Sequence, residues 1–505
     1  MSEQASFLGD ARPSFAGIRV AEGRIAVVDV GSNSVRLVVF DGAARAPAYF
    51  FNEKVSCGLG VGIARTGRLN PAGVASALET LRRFATLAER MHVDALEAVA
   101  TAAVREAEDG PAFRAEVERL TGLRLRVIEG EEEARLSALG VLLGEPDADG
   151  LVADMGGASL ELAQLQDRAV GARLTLPLGP QRLDGLEGPA LLWRIDEALD
   201  RAADVVGVED RTLFVVGGSW RNVAKLRMAR RKHPLKVLQG YADPADVVAD
   251  DCAWIAQQRP EALRALADVS AGRAAVAPLA ALVLGRIIAR LKPARVSVSA
   301  FGLREGVYFE RLPPAVRDAD PLIAVCRSLE RMQARFPGFG DELAAWLSPV
   351  LADWAAPERR LARAACLLND VNWRAHPDYR PVSCFETVTR ANLAGVDHAG
   401  RVFLGLALMQ RYGGGSERSA DAAAALALLD PARKAQARAL GRAMRLGAML
   451  SASTPGALAE AGLRIADGAV SLSLGPDQQA LAGALVERRL AALADALGLS
   501  PRLAA

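Results

Sequence analysis

The sequence predicts an α/β protein: two structurally similar lobes facing one another across a cleft, followed by a mainly α-helical domain. A strand–turn–strand segment recurs without a gap 125 residues further on, and strand and helix patterns alternate up to about residue 313. Beyond 314 the strand signal gives way to helices rich in Ala, Leu and Arg. The expected divisions are a loose tail at 1–22, a first lobe at 23–130, a second lobe at 131–313 and a helical domain at 314–505. The stretch "RLPPAVRDADP", residues 311–321, marks the last boundary.

The first copy of the repeat, "AVVDVGSNSVRLVVF" at 26–40, reads as two antiparallel strands. Val and Leu recur at strand spacing, and Gly31-Ser32-Asn33-Ser34 is turn chemistry. A solvated hairpin closed by Asp29 explains that much alone. The second copy, "GLVADMGGASLELAQL" at 150–165, matches Asp29 with Asp154, Gly31 with Gly156, Ser34 with Ser159 and Leu37 with Leu162. Backbone N–H groups in such turns form concave nests for phosphate oxygens, and an Asp at a strand end can hold a hydrated Mg²⁺. Two such turns across a cleft make a phosphate clamp. One matched position differs in charge, Arg36 against Glu161, suiting the first to an anion and the second to a metal or water.

Between the copies come a helix from Pro71 to about Met91 and the strand "DALEAVAT", which delivers Thr101 and Arg105 to its C-terminal end. A helix at 110–121, the strand "LRLRVIEG" and a helix opening on Glu131, Glu132 and Glu133 follow. Acidic residues favour a helix N-terminus electrostatically, so composition alone gives those three no further role. The second lobe adds a helix at 188–206 and the strand "TLFVVGG". There Gly217-Gly218-Ser219 opens the helix "WRNVAKLRMARR", a third candidate phosphate-binding turn. "ARVSVSAFGLREG" reads as a strand and then a turn made by Gly302 and Gly306. Residues 461–475 read as a late hairpin before a final helix.

With 505 residues, 51% hydrophobic, 24% charged and a net charge of +1, the chain is of ordinary globular composition and carries no global basic field for nucleic acid. Five widely spaced cysteines without a CxxC pair argue against a disulfide framework or a zinc site and for a reducing compartment. The N-terminus lacks the basic and apolar blocks of a secretory signal. The most apolar run, 274–291, carries Pro278, Arg286 and Arg290 and reads as a buried helix. A cytoplasmic protein with neither a nucleic-acid nor a membrane partner is expected.

In order along the chain, "VDVGSNSVRL", "ATAAVREA", "EGEEEARL", "DMGGASLE", "VVGGSWRNVAKL" and "FGLREG" resemble the motifs of the exopolyphosphatase / guanosine pentaphosphate phosphohydrolase family, within the actin, Hsp70 and sugar-kinase superfamily. The resemblance spans about 24–310 and implies ribonuclease H-like, actin-like lobes. It implies that Glu133 is the general base activating water and that Glu161 binds Mg²⁺ or positions that water, with Asp29 and Asp154 supporting the metal. It further implies that Gly31, Ser32, Asn33, Ser34, Arg105, Gly156, Gly157, Ala158, Ser159, Gly217, Gly218 and Ser219 surround the phosphates. Inorganic polyphosphate is then the expected substrate, with guanosine pentaphosphate hydrolysis or a non-catalytic polyphosphate- or alarmone-binding sensor as alternatives, Mg²⁺ as cofactor and a homodimer as the assembly.

Two departures stand out. The family pattern has three glycines in its second phosphate motif, whereas this chain has Gly156-Gly157-Ala158; a positive φ at 158 would strain the loop. More weakly, "CLLNDVNWRAHPDY" resembles a helix of an HD-like domain with Asn369 in place of the metal-binding His before Asp370, which implies a non-catalytic helical domain. The basic stretches 226–236 and 433–445 read first as solvated helix faces, and second as a track for a linear polyanion.

Overall fold

The first lobe forms around five strands: β1 (Arg24–Val30), β2 (Ser34–Phe40), β3 (Tyr49–Ser56), β4 (Val93–Ala100) and β5 (Leu125–Val127), in the order β3-β2-β1-β4-β5. β1 and β2 are the expected hairpin, β3 extends it antiparallel, and β4 and β5 lie parallel to β1. The computed structural model describes residues 23–42, 44–414, 417 and 419–504; the expected tail at 1–22 lies outside them. β1 is apolar on both faces because both are covered. Ala26, Val28 and Val30 pack with Leu81, Phe84 and Val117 of the helices Pro71–Arg90 and Gly110–Thr121, while Ile25 and Val27 face a second core.

The second lobe repeats the plan with β6 (Gly150–Met155), β7 (Leu160–Gln166), β8 (Ala169–Leu176), β9 (Thr212–Val216), β10 (Tyr241–Pro244) and β11 (Arg295–Val298). Their order is β10-β11-β9-β6-β7-β8. β6, β7 and β8 are antiparallel, β9 and β11 run parallel to β6, and β10 is an antiparallel edge. Leu151, Ala153 and Met155 face a core built largely on the helix Ala271–Leu291, whereas Val152 turns to the core that Ile25 and Val27 also enter. Ala271–Leu291 is long and apolar enough to cross a membrane. Here it is a core helix: Ala274, Ala277, Leu284 and Ile287 are buried, and Trp220 donates its indole N–H to the Ala280 carbonyl at 2.9 Å.

The core shared by the two sheets is filled by the helices Gly130–Gly144 and Leu303–Arg311. The second of these corrects the sequence reading, which has Gly302–Gly306 as a turn. The glycines serve helix contact: a Cβ on Gly306 would lie 1.7 Å from the Leu136 carbonyl oxygen, and one on Gly140 would lie 2.2 Å from that of Gly302. Glu305 bonds back to the Gly302 N–H at 2.9 Å and caps the helix start.

The remaining chain is helical, with one small sheet of β12 (Ala461–Ala466), β13 (Ala469–Leu474) and β14 (Ser500–Ala504). β12 and β13 are the expected hairpin. β14, parallel to β13, carries no sequence signal as short as it is. This domain docks on the lobes through Gly395 N–H to the Gly144 carbonyl at 2.6 Å and a His233–His398 ring hydrogen bond of 2.7 Å.

At the end of Gly130–Gly144, Glu145 accepts from Gln239 Nε2 at 3.1 Å and Ser297 Oγ at 3.4 Å. Burial pushes its carboxyl up to about 7. A raised folded-state value means that stability is lost as pH climbs from the ordinary carboxylate range through 7. Glu145→Gln, neutral and isosteric, is therefore expected to melt increasingly above wild type from pH 5 to 8. Thermal unfolding at four pH values tests this, and a pH-independent offset would contradict it.

Candidate active site

The two turns of the repeat have the same local geometry. Gly31 N–H bonds the Ser34 carbonyl at 3.0 Å, and Gly156 N–H bonds that of Ser159 at 3.0 Å. Register then pairs Asp29 with Arg36 and Asp154 with Glu161 across their hairpins. Each turn is braced from outside. The Ser32 and Asn33 carbonyls accept from Gly60 and from Cys57 and Gly58, and those of Gly157 and Ala158 accept from Gln181 and Gly179. Asn33 is exposed, while Ser32 and Ser159 are buried.

Ala158 is not among the residues with positive φ, so its Cβ strains nothing, and the expected loop distortion is absent. It is buried against Gly179, where a Cβ would lie 2.3 Å from the Ala158 carbonyl carbon. Ala158→Gly is accordingly expected to leave turnover at the wild-type level and to cost stability by about 0.5–1 kcal/mol through backbone entropy. Steady-state rates and melting curves measure both, and a several-fold gain in rate would show that the methyl group obstructs the loop.

The three glutamates that open Gly130–Gly144 separate by environment. Glu131 is exposed, and Glu132 pairs with Arg135 at 2.7 Å and Arg126 at 3.3 Å. Glu133 turns inward, 13% exposed, with Oε2 buried and without a hydrogen-bond partner. Arg105, held by the Ile128 carbonyl at 2.8 Å, lies 3.9 Å from it. Burial raises the Glu133 carboxyl well above the usual range, reinforced by Glu161, Asp154 and Asp29 and opposed by Arg105. Glu161 is raised by burial and Asp154, against bonds from Ser159 and from Thr175 Oγ1, the latter at 3.1 Å. The helix start approaches this strand because residue 130 is glycine: its Cβ would lie 2.4 Å from Thr175 Cγ2.

The structure does not gather Asp29, Asp154 and Glu161 into a ligand set. Arg304 Nη1 holds Asp29 at 2.9 Å, and Ser137 Oγ holds Asp154 at 2.5 Å. Among the described residues no three His, Cys, Asp or Glu side chains converge as a metal site. The carboxylates of Asp154 and Glu161 are nonetheless hard oxygen donors, which suits a hydrated divalent cation completed by phosphate oxygens. Gly217, at φ 99°, abuts Asp154: its Cβ would lie 2.9 Å from Oδ1. Gly218 and Ser219 form the first turn of the helix Gly218–Arg230.

Sequence reasoning missed most of the basic wall. Arg36 is pulled down to about 10 by burial and by Arg304, with Arg221 adding to the effect. Lys54, cross-strand from Arg36, is lowered by burial, Arg273 and Arg36. These cations come from both lobes, so only the folded cleft reveals their grouping. Gln181 was missed too. Its side chain lies beside both Gly60 and Gly157, and its buried Oε1 lacks a partner. Glu106 and Arg182 form an ion pair between the lobes at the same edge.

The Ppx/GppA phosphatase family model matches residues 37–315, and a second model, exopolyphosphatase C-terminal, matches 322–503. Among curated proteins, Exopolyphosphatase 1 of Mycobacterium bovis is 29% identical over 57% of this chain and 88% of its own. Retrograde regulation protein 2 of Saccharomyces cerevisiae is 24% identical over 77% and 72%. A crystal structure of an exopolyphosphatase-like protein superposes with a TM-score of 0.52 at 25% identity, covering 57% of this chain and 97% of that one. The Aquifex aeolicus Ppx/GppA family member gives 0.51 at 24%, covering 57% and 97%.

Proposed function

We propose that this chain, which belongs to the Ppx/GppA phosphatase family and is a phosphoanhydride hydrolase, releases the terminal phosphate of inorganic polyphosphate in the cleft between its lobes. The observation that carries the reading is Glu133: a carboxylate with a buried, unpartnered oxygen, set beside Arg105, its charged form disfavoured by burial and by the carboxylates of both repeat hairpins. Hydrolysis of a phosphoanhydride needs charge neutralisation, in-line positioning and an oriented water more than covalent catalysis. The turns Gly31–Ser34 and Gly156–Ser159 supply backbone donors for the terminal phosphate, and Arg105 supplies charge. Glu133 takes the proton of the attacking water. Arg36, Lys54, Arg221, Arg273 and Arg304 form a wall suited to successive phosphates of a linear chain.

Mg²⁺ fits as cofactor, with the carboxylates of Glu161 and Asp154 as the groups that would hold it; when bound it would neutralise charge on the phosphate oxygens. The five buried free thiols support a cytoplasmic, reducing location.

Phosphate release from long-chain polyphosphate and from guanosine pentaphosphate, measured side by side across a Mg²⁺ titration, tests the proposal. Polyphosphate is expected to be the better substrate, and release from neither would overturn the reading. Glu161→Ala is expected to move the Mg²⁺ half-saturation upward, because losing an acidic oxygen weakens a hard-cation site. An unchanged titration would remove Glu161 from that role.

A further inference from the structure

One side chain bridges the two turns of the repeat. Gln181, in the short helix Pro180–Leu183, donates its backbone N–H to the Gly157 carbonyl at 2.9 Å, so its main chain belongs with the second turn. Its carboxamide reaches the first. A Cβ on Gly60, whose N–H holds the Ser32 carbonyl at 2.8 Å, would lie 3.2 Å from Gln181 Oε1, and a Cβ on Gly157 would lie 3.6 Å from the same amide group. Glycine at both places leaves room for the carboxamide between the turns.

That amide oxygen is unsatisfied. Among the described residues, the buried side-chain oxygens without a hydrogen-bond partner belong to Glu133, Gln181, Tyr241 and Gln478. Tyr241 is on the edge strand β10 and Gln478 is in the helical domain, whereas Glu133 and Gln181 share one edge of the cleft. Arg182, next to Gln181, pairs across the lobes with Glu106, which lies 3.9 Å from Arg105, itself 3.9 Å from Glu133 Oε2. The cations suited to the substrate chain gather at the strand-end carboxylates instead. Arg304 holds Asp29 at 2.9 Å, and a Cβ on Gly302 would lie 3.6 Å from Asp154 Oδ2 and 3.7 Å from Arg221 Nη2.

In-line displacement brings water to the face of the terminal phosphate opposite the departing chain, so the groups that hold the water stand away from the cation wall. Water has two hydrogens. A base that takes one leaves the oxygen free to swing about that bond, and a second fixed acceptor removes the freedom. A buried carbonyl oxygen without a donor is costly, and a water O–H relieves the cost.

We propose that Gln181 is the second acceptor, its Oε1 taking a hydrogen bond from the attacking water so that Gln181 and Glu133 together aim the water oxygen at phosphorus, a role that rests on the phosphate-releasing cleft with Glu133 as base. One water proton passes to Glu133, and the other stays on the oxygen, bonded to Gln181. The water oxygen bonds to the terminal phosphorus as the bridging P–O bond breaks, and the electron pair of that bond leaves with the shortened chain. Orthophosphate is the other product. Gln181 exchanges no proton and contributes by orientation alone.

The test measures phosphate release from polyphosphate by full-length variants. Gln181→Met keeps the length of the side chain and lacks the acceptor; its kcat is expected to fall about 10- to 10²-fold with KM within about two-fold of wild type. Its melting temperature and the pH limb due to Glu133 are expected to persist. Gln181→Glu restores an acceptor oxygen at the same reach and is expected to turn over at least several-fold faster than Gln181→Met; no recovery would overturn the role. Because both residues hold one water, the double variant of Gln181→Met and Glu133→Gln is expected to lose little beyond Glu133→Gln alone. Losses that multiply in full would mean independent roles and overturn the pairing. Should Gln181→Met not fold, Gln181→Ala, which only removes atoms, carries the same expectations. A raised KM with unchanged kcat would make Gln181 a phosphate contact or a brace between lobes, and overturn its role toward water. Wild-type turnover by Gln181→Met beside an inactive Glu133→Gln overturns this role alone, whereas wild-type turnover by both overturns the cleft assignment as well.

Discussion

Glu133→Gln is expected to lower phosphate release from polyphosphate by about 10²- to 10⁴-fold, the usual scale for loss of a general base, while polyphosphate binding and the melting profile persist. Gln keeps the shape and one carbonyl acceptor but cannot take a proton. The wild-type environment already disfavours the charged form, through burial and through Glu161, Asp154 and Asp29, so the base ionises well above the ordinary carboxylate range. A base acts deprotonated. Wild-type kcat/KM should therefore rise with pH through the Glu133 ionisation, and the residual activity of the variant should lack that limb. Arg105, 3.9 Å away, restrains the shift, so Arg105→Gln should push the limb to higher pH in addition to weakening substrate binding. Rate profiles from pH 5 to 9 for the three proteins decide this; turnover by Glu133→Gln within a few-fold of wild type would remove Glu133 from the mechanism.

Gly306→Ala is expected to destabilise the protein by more than about 3 kcal/mol, beyond the usual cost of overpacking. The added Cβ would meet the Leu136 carbonyl oxygen at 1.7 Å, its carbon at 2.6 Å and Gly140 N at 3.1 Å, all backbone atoms that no rotamer change can move aside. The two helices in contact there carry Glu133 and Arg304. Any variant protein that folds should therefore lose activity through displacement of both. Glycine at 272 is the control: a Cβ there meets nothing within 4 Å, so Gly272→Ala should be neutral or stabilising. Equal melting temperatures for the two variants would show that the helix pair relaxes without cost.

By itself the sequence determined the parts that rest on local chemistry. The repeat at 26–40 and 150–165 is legible because strand periodicity and turn residues are short-range, and the structure has both hairpins in the same register, with the same turn hydrogen bond. The helices at 71–90, 110–121 and 130–144 and the hairpin at 461–474 were legible for the same reason. What tertiary structure alone decided is whatever depends on residues distant in the chain. Glycine spacing in "FGLREG" looks like a turn until Leu136 lies against it, and only packing turns it into a helix contact. Asp29 is paired with Arg304, 275 residues away, a partner that no local pattern shows. Glu131, Glu132 and Glu133 are equivalent helix-start acids in sequence. They diverge because one faces solvent, one faces Arg126 and Arg135, and one faces a cleft that removes water from its carboxylate. Local propensity sets elements within a few residues, whereas desolvation and charge pairing, which give a side chain its chemistry, are set by neighbours the folded chain brings from afar.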